Sequence, residues 1–265
     1  MHKVEPKVFL IGETKINQEG LQELLNYLGV PNWKSDAPTD IEKIIEVFGR
    51  SCYMSFQDEN QKASVLNPNL TMVRKENKKY IENIIQKGDG SVLEAGFVNF
   101  FFGDVSRIFS AELCRHRVGT AISEKSLRFV RLTDMNFYAP IAIQENEEIM
   151  TIFYKTFEQL SELQKQLAKK LDLDNKDFSE KKKITSAIRR LAPMGLATTI
   201  GWSTNIRNLR HVIEMRTAPE AEEEIRLVFN KVAEIAIEKW PNLFGDYKKE
   251  LVDGYYWYKT ENRKV

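Results

Sequence analysis

A chain of 265 residues, 42% of them hydrophobic, suits one large domain or two small ones, with a core that needs no staples. Its 39 Lys and Arg stand against 38 Asp and Glu, a net charge of +1, so no global field recruits nucleic acid or an anionic membrane, and an anionic ligand must be held by a local basic cluster. Two cysteines, Cys52 and Cys114, without metal-ligand spacing and with no signal peptide ahead of them, imply no metal, a reducing cytoplasm and two thiols buried as small hydrophobes.

Along the chain, residues 8–11 form a short apolar run before Gly12 and predict a first strand. Residues 18–28 repeat leucine at helical spacing and stop at Gly29. Thr39 or Asp40 caps a predicted helix through Phe48, in which Ile41, Ile44, Ile45 and Phe48 keep a helical period. Asn67-Pro68-Asn69 marks a turn, and residues 75–86 predict a helix closed by Gly88. The longest apolar stretch, 97–109, is interrupted by Asn99, Asp104, Ser106 and Arg107 and is too short to span a bilayer. It reads as core, with a strand near 93–101 and a helix near 105–116. Residues 127–132 alternate apolar and basic side chains, a strand signature. A long amphipathic helix follows at 147–171, a shorter one at 181–191 stopping near Pro193, and a strand at 195–202. Residues 205–215 and 219–236 read as helices, the second with Pro219 in its first turn. Strands and helices mix without regular βαβ alternation, so the predicted class is α+β, in a single domain over 1–265.

Two segments carry chemistry. Arg115-His116-Arg117 ends an apolar stretch and is followed within one loop by Ser126 and Arg128. Arginine forks bind phosphate bidentately, and hydroxyls and loop amides add donors, so this group suits a pyrophosphate and a second phosphate held close together; a solvated basic turn is the bland alternative. The second segment, 205–216, contains Asn205, Arg207, Asn208, Arg210, His211, Glu214 and Arg216. On a helix, Asn205, Asn208, Val212 and Met215 fall near one face, and an exposed Arg210–Glu214 pair accounts for part of another. Of three histidines, His2, His116 and His211, two sit in these arginine-rich segments.

The segment 115–128 resembles the signature of the flavin-dependent thymidylate synthases, an Arg-His-Arg followed further on by a serine. Residues 49–56, 66–69, 90–94, 105–107, 126–132, 205–209, 215–216 and 221–226 also look like that family, in its order. The resemblance implies an α+β fold with a central antiparallel sheet, a homotetramer, and FAD and substrate at subunit interfaces. It implies reductive methylation of dUMP to dTMP, with methylenetetrahydrofolate and NADPH as co-substrates. Carried over residue by residue, Arg115, His116 and Arg117 match positions contacting FAD phosphates and the nucleotide; Ser55, Ser91, Glu94, Asn205, Arg207 and His211 match other FAD contacts. Glu124, Lys125, Ser126 and Arg128 match the loop holding the nucleotide monophosphate, Arg189 a basic residue at its phosphate, and Glu112 a position beside the nucleotide. Arg216 matches the arginine facing the pyrimidine ring and is the expected catalytic residue. Ser126 and Arg128 of one chain are expected to meet Arg189 and Arg216 of another. Three positions depart from the pattern: Asp89, Ala95 and Ala111 stand where family members often carry histidine. Two other readings follow from them, a flavin enzyme acting on another uracil nucleotide such as UMP, and a nucleotide-binding paralogue without the synthase activity.

Overall fold

The computed structural model describes residues 1–57 and 62–265. Four antiparallel strands form its main sheet: β1 (Lys7–Glu13), β2 (Phe97–Ser106), β3 (Thr120–Glu124) and β4 (Ala197–Asn205), in the order β1-β2-β4-β3. Alternation sends Val98, Phe100 and Phe102 of β2 and Ile200, Trp202 and Thr204 of β4 to one buried face. Phe9, Phe101, Gly201 and Ser123 lie in one cross-strand row on the opposite face.

The helices are α1 (Gln18–Tyr27), α2 (Asp40–Tyr53), α3 (Asn77–Lys87), α4 (Arg107–Leu113), α5 (Ile141–Gln144), α6 (Glu147–Lys170), α7 (Phe178–Ile188), α8 (Ile206–Thr217), α9 (Glu223–Lys239) and α10 (Pro241–Phe244). A C-terminal hairpin, β5 (Lys248–Val252) and β6 (Tyr255–Lys259), completes the chain's regular structure. The main core joins the sheet to α2, α3, α8 and α9 through Ile45, Ile81, Leu209, Val212, Phe229 and Val232. A second core, with Leu127, Leu132, Phe137, Phe157 and Leu196, holds the 127–139 segment to α6. No helix among the described residues is long and apolar enough to cross a membrane.

The α+β class agrees with the sequence reading, and several boundaries differ. Residues 127–132 form turns, not a strand: Leu127 and Leu132 both point into the second core, and the Phe129 and Val130 amides donate back to the Ser126 carbonyl at 3.2 and 3.1 Å. The nearby strand is β3, one turn earlier in the chain. Leu93 belongs to a 3-10 turn spanning Gly90–Ala95. Val105 and Ser106 stay in β2, because the Ser106 hydroxyl accepts from Ile108 and Phe109 amides and thereby starts α4 at Arg107. The helix expected to end at Phe48 runs on to Tyr53: Arg50 is buried against Glu46 one turn back, and Met54 closes it at φ 49°. Pro219 lies before α9, whose cap is Glu222, accepting from the Glu224 and Ile225 amides. Cys52 and Cys114 are both free and exposed rather than buried, since Gly49 and Arg50 take the inward positions in α2 and Phe109, Ser110 and Leu113 those in α4.

Candidate active site

Of the Arg-His-Arg triplet only the histidine turns inward. α4 ends at Leu113, whose carbonyl accepts from the His116 amide at 3.0 Å. That bond folds the chain so that His116 is 8% exposed while Arg115 and Arg117 stay in solvent. Neither arginine has a hydrogen-bond or ion-pair partner among the described residues, so two guanidiniums flank the buried ring with their forks free.

The buried ring meets α8. His116 Nε2 accepts from Arg216 Nε at 2.7 Å, and the His211 ring packs edge-on with centroids 6.2 Å apart. Burial, then the charge of Arg216 and the neighbouring His211, push the His116 imidazole down to about 4. The ring is therefore neutral at physiological pH, and a neutral imidazole accepting at Nε2 carries its proton on Nδ1. Arg216 also donates from Nη1 to Glu112 Oε2 at 2.7 Å and from Nη2 to the Glu112 carbonyl at 3.3 Å. Three of its five N–H groups are engaged by these contacts, which leaves one on each Nη. Arg216 is thus a fixed, charged fork with two donors to spare.

The start of α8 is tied to the same loop. Asn205 caps α8 through a 2.8 Å bond from the Asn208 amide, and its own amide donates to the Gly119 carbonyl at 2.9 Å. On the adjoining turn Arg207 pairs with Glu94 at 2.6 Å. Gly90 lies so close that a Cβ there would sit 2.8 Å from Arg207 Nε. Ser91 is exposed on this 3-10 turn, and the Ser55 hydroxyl is buried with no hydrogen-bond partner of good geometry among the described residues. Asp89 accepts from the Tyr53 hydroxyl at 3.2 Å, and its charge holds that phenol above its ordinary value. Ala95 packs against the main core and Ala111 is exposed.

One sequence expectation for α8 is corrected. Arg210 and Glu214 do not pair on the surface. Arg210 is fully buried and binds Asp246 through both Nη atoms at 2.8 Å, whereas Glu214 pairs with Arg263 at 2.9 Å. The partners come from the C-terminal region, which helical spacing does not reveal.

The remaining predicted residues form a second group. Glu124 pairs with Arg107 at 2.5 Å, and the Lys125 amide donates to the Thr199 carbonyl at 3.0 Å. The Ser126 hydroxyl accepts from the Arg128 amide at 3.3 Å. The Lys125 and Arg128 side chains are exposed and, among the described residues, without partners. Arg189 lines a small cavity with Arg131, Leu132 and Thr133 of its own chain, beside the segment that follows Arg128. A larger cavity, about 770 Å³, lies elsewhere among the described residues, between residues 29–36 and Lys75-Glu76, and none of the predicted residues lines it. Sequence reading missed Glu224, which is 1% exposed and accepts from the Ser106 amide at 2.6 Å and from the Ser106 hydroxyl. Burial raises its carboxyl to about 7 against those two bonds. It sits in the run Glu222-Glu223-Glu224, where nothing in the pattern separates the buried acid from its neighbours.

A family model described as thymidylate synthase complementing protein matches residues 35–242. The chain is 29% identical over 226 residues to a flavin-dependent thymidylate synthase of Corynebacterium diphtheriae, covering 83% of this chain and 85% of the relative. Identity is 29% over 232 residues to the protein of that description from Mycobacteroides abscessus, covering 84% and 86%. Among solved structures, the crystal structure of thymidylate synthase X from Helicobacter pylori with FAD and dUMP matches 90% of this chain and 98% of its own, with a TM-score of 0.54. Sequence identity there is 17%, so that likeness speaks for the fold.

Proposed function

Because the chain belongs to the thymidylate synthase complementing protein family, we propose that it is an FAD-dependent enzyme methylating dUMP reductively to dTMP, with methylenetetrahydrofolate as carbon donor and NADPH as reductant. The observation that carries this reading is the Arg216 fork, fixed by Glu112 and a neutral His116 beside the free cations Arg115 and Arg117. The donor set fits a dinucleotide cofactor: two guanidiniums that have no partner among the described residues suit its phosphates. In this reading Ser55, Ser91, Glu94, Arg115, His116, Arg117, Asn205, Arg207 and His211 hold FAD, while Glu112, Glu124, Lys125, Ser126, Arg128, Arg189 and Arg216 hold the nucleotide. FAD, when bound, supplies the redox chemistry.

The protein's part is orientation and charge. As C5 of the uracil turns nucleophilic, negative charge spreads onto the ring carbonyl oxygens, and the two spare N–H groups of Arg216 stabilise it. His116 contributes by staying neutral: a second cation there would repel Arg216 and remove the lone pair that holds its Nε. The scheme needs no thiol, so Cys114 has no part in it. Subunit exchange of site residues, with Arg128 and Arg216 from different chains, belongs to this proposal as well; Arg189 sits with the 131–133 segment of its own chain.

The test is turnover of FAD-reconstituted protein with dUMP, methylenetetrahydrofolate and NADPH, read as dTMP by chromatography. Absence of both dTMP and bound flavin would reject the reading. A second reading, UMP as substrate, draws on Asp89, which is bonded to Tyr53 where the resembling family carries histidine. UMP assayed in parallel and turned over faster than dUMP would select it.

A further inference from the structure

The residues matched by the family model stop at 242, yet the chain beyond folds back onto the start of α8. The tie begins at Arg210. It is fully buried, donates to the Leu243 carbonyl and to both Asp246 oxygens, and reaches the Val265 carbonyl from Nε at 3.3 Å. Tyr247 donates to the Arg210 carbonyl at 2.8 Å and lays its ring 4.9 Å from the guanidinium. Asp246 in turn accepts from Thr260 at 2.5 Å and from the Asn262 side chain at 3.0 Å. Burial pushes the Asp246 carboxyl up, but Arg210, Thr260 and Asn262 outweigh it and hold it at about 2. One buried ion pair therefore gathers residues 243–262 against the inner side of α8.

Past this knot, the chain reaches the turn that carries Glu94 and returns Val265 to the main core. Val265 is 4% exposed; a Cβ on Gly90 would lie 3.0 Å from its Cγ1 and 2.8 Å from Arg207 Nε, so Gly90, Arg207 and Val265 meet at one point. The Lys264 carbonyl lies 3.5 Å from Arg207 Nη2, and the Lys264 side chain covers Gly88 at 3.8 Å from where a Cβ would be. Arg263 pairs with Glu214 on the next turn of α8. The tail thus backs the Arg207–Glu94 pair on the side away from Glu94.

We infer that residues 260–265 are a positioning strap: they fix Arg207, through it Glu94, and with them the 88–96 turn, so that cofactor affinity depends on tail docking. This rests on the reading of Ser91, Glu94 and Arg207 as FAD contacts. An Arg–carboxylate pair that is 43% and 46% exposed is held only loosely by its own attraction. Its geometry must come from what packs behind it, and the strap is what packs there. Pre-ordering a binding surface lowers the entropy lost when the ligand arrives, so the effect appears in affinity.

The experiment compares the full chain with a variant lacking residues 261–265 and with Val265→Ala. The shortened chain keeps the Arg210–Asp246 and Thr260–Asp246 bonds but loses those of Asn262 and the Val265 carbonyl, whereas Val265→Ala keeps the whole backbone in case the shorter chain does not fold. Two readouts are taken: FAD affinity by flavin fluorescence, and hydrogen exchange at the amides of 88–96 without ligand. The expected result is FAD binding about tenfold weaker in the shortened chain and about threefold weaker in Val265→Ala, with the largest rise in exchange at 88–96 and a lower melting temperature in both, since each loses core contacts of Val265. Unchanged FAD affinity and exchange in both variants would overturn the strap. If the full chain binds no FAD, the cofactor reading fails by itself. The exchange data then decide the strap alone: faster exchange at 88–96 keeps it, and unchanged exchange removes it.

Discussion

Arg216 separates a charge from a geometry. Lysine at 216 would keep the cation but could not donate to His116 Nε2, Glu112 Oε2 and a ligand carbonyl in one plane. Arg216→Lys is expected to fold and to bind flavin, yet to lose about a hundredfold or more in single-turnover rate with dUMP and methylenetetrahydrofolate. Nucleotide affinity should fall less than the rate, because the charge being stabilised develops mainly in the transition state. Near-normal single turnover in that variant would leave Arg216 as a helix-end charge complementing the α8 dipole. At His116 the useful contrast is glutamine against alanine. Glutamine offers an acceptor oxygen to Arg216 and should retain more of the rate than alanine, which leaves the fork unheld. Equal losses would show that His116 acts by some route other than its bond to Arg216.

His116 and Glu224 also oppose each other in their pH dependence. His116 falls from 6.5 to about 4, so the unfolded chain takes up its proton first, and stability is lost as pH falls from 6.5 towards 4. Glu224 rises from 4.5 to about 7, so the folded chain keeps its proton longer, and stability is lost as pH rises from 4.5 towards 7. Each effect amounts to about 3 kcal/mol, and between pH 4.5 and 6.5 the two slopes cancel. Single variants should expose the partner. Glu224→Gln should show stability climbing between pH 4 and 6.5, and His116→Gln should show it falling between 4.5 and 7, both by urea melts at stepped pH. Matching profiles in the two variants and the parent would contradict the linkage.

At the scale of elements, α2 offers the sharpest test of buried charge. Arg50 and Glu46 are both fully buried and bonded at 2.6 Å, with Arg50 also donating to the Ser55 and Arg74 carbonyls and lying 4.4 Å over the Tyr80 ring. Arg50→Met removes the counter-charge of the Glu46 carboxylate, leaving it bonded to Ser35 and Asn77, and should cost about 3–5 kcal/mol in urea unfolding. Adding Glu46→Met should recover much of that loss, and a double variant no better than the single would contradict the pairing. These residues also mark where sequence reading runs out. Helical periodicity placed α1, α3 and α6 to within a few residues, because leucine spacing, an amphipathic pattern and the closing Gly29 and Gly88 act locally. It stopped α2 at Phe48 because a helix continuing through Gly49 and Arg50 is stabilised by Glu46, Tyr80 and the Ser55 carbonyl, contacts that the period does not encode. The apolar and basic alternation over 127–132 matched a strand, but Leu127 and Leu132, which would face opposite sides of one, enter the same core across turns. For the site, the family pattern singled out His116, Arg216 and Glu112, which the fold brings together. The Arg210–Asp246 tie and the buried Glu224 were not legible, since each depends on a partner far along the chain.

For the whole molecule, the sheet presents an open face. Phe9 and Ile11 are 48% and 66% exposed, Phe97 and Phe101 44% and 36%, beside Gly201, Ser123 and Ala121. Flat small residues edged by phenylalanine suit close approach of another sheet or helix. The expected state is a homotetramer, checked by light scattering at micromolar concentration. A monomer with full activity would rule out a site completed between chains. Phe101→Lys should shift the oligomer towards smaller species without unfolding the chain, because the ring lies outside the core.

Gly119 has a further consequence for how this protein can change over generations. Its φ is +65°, and a Cβ there would come within 2.3 Å of Nδ2 of the Asn205 side chain. Any side chain at 119 would push Asn205 off the Asn208 amide and loosen the first turn of α8, the helix that carries Arg207, His211 and Arg216. The loop after Arg117 and the start of α8 are therefore not free to drift separately. A lineage that gains a side chain at 119 must, in the same step or soon after, exchange Asn205 for a smaller cap such as serine. Positions 119 and 205 are expected to be inherited as a pair, although 85 residues of sequence lie between them.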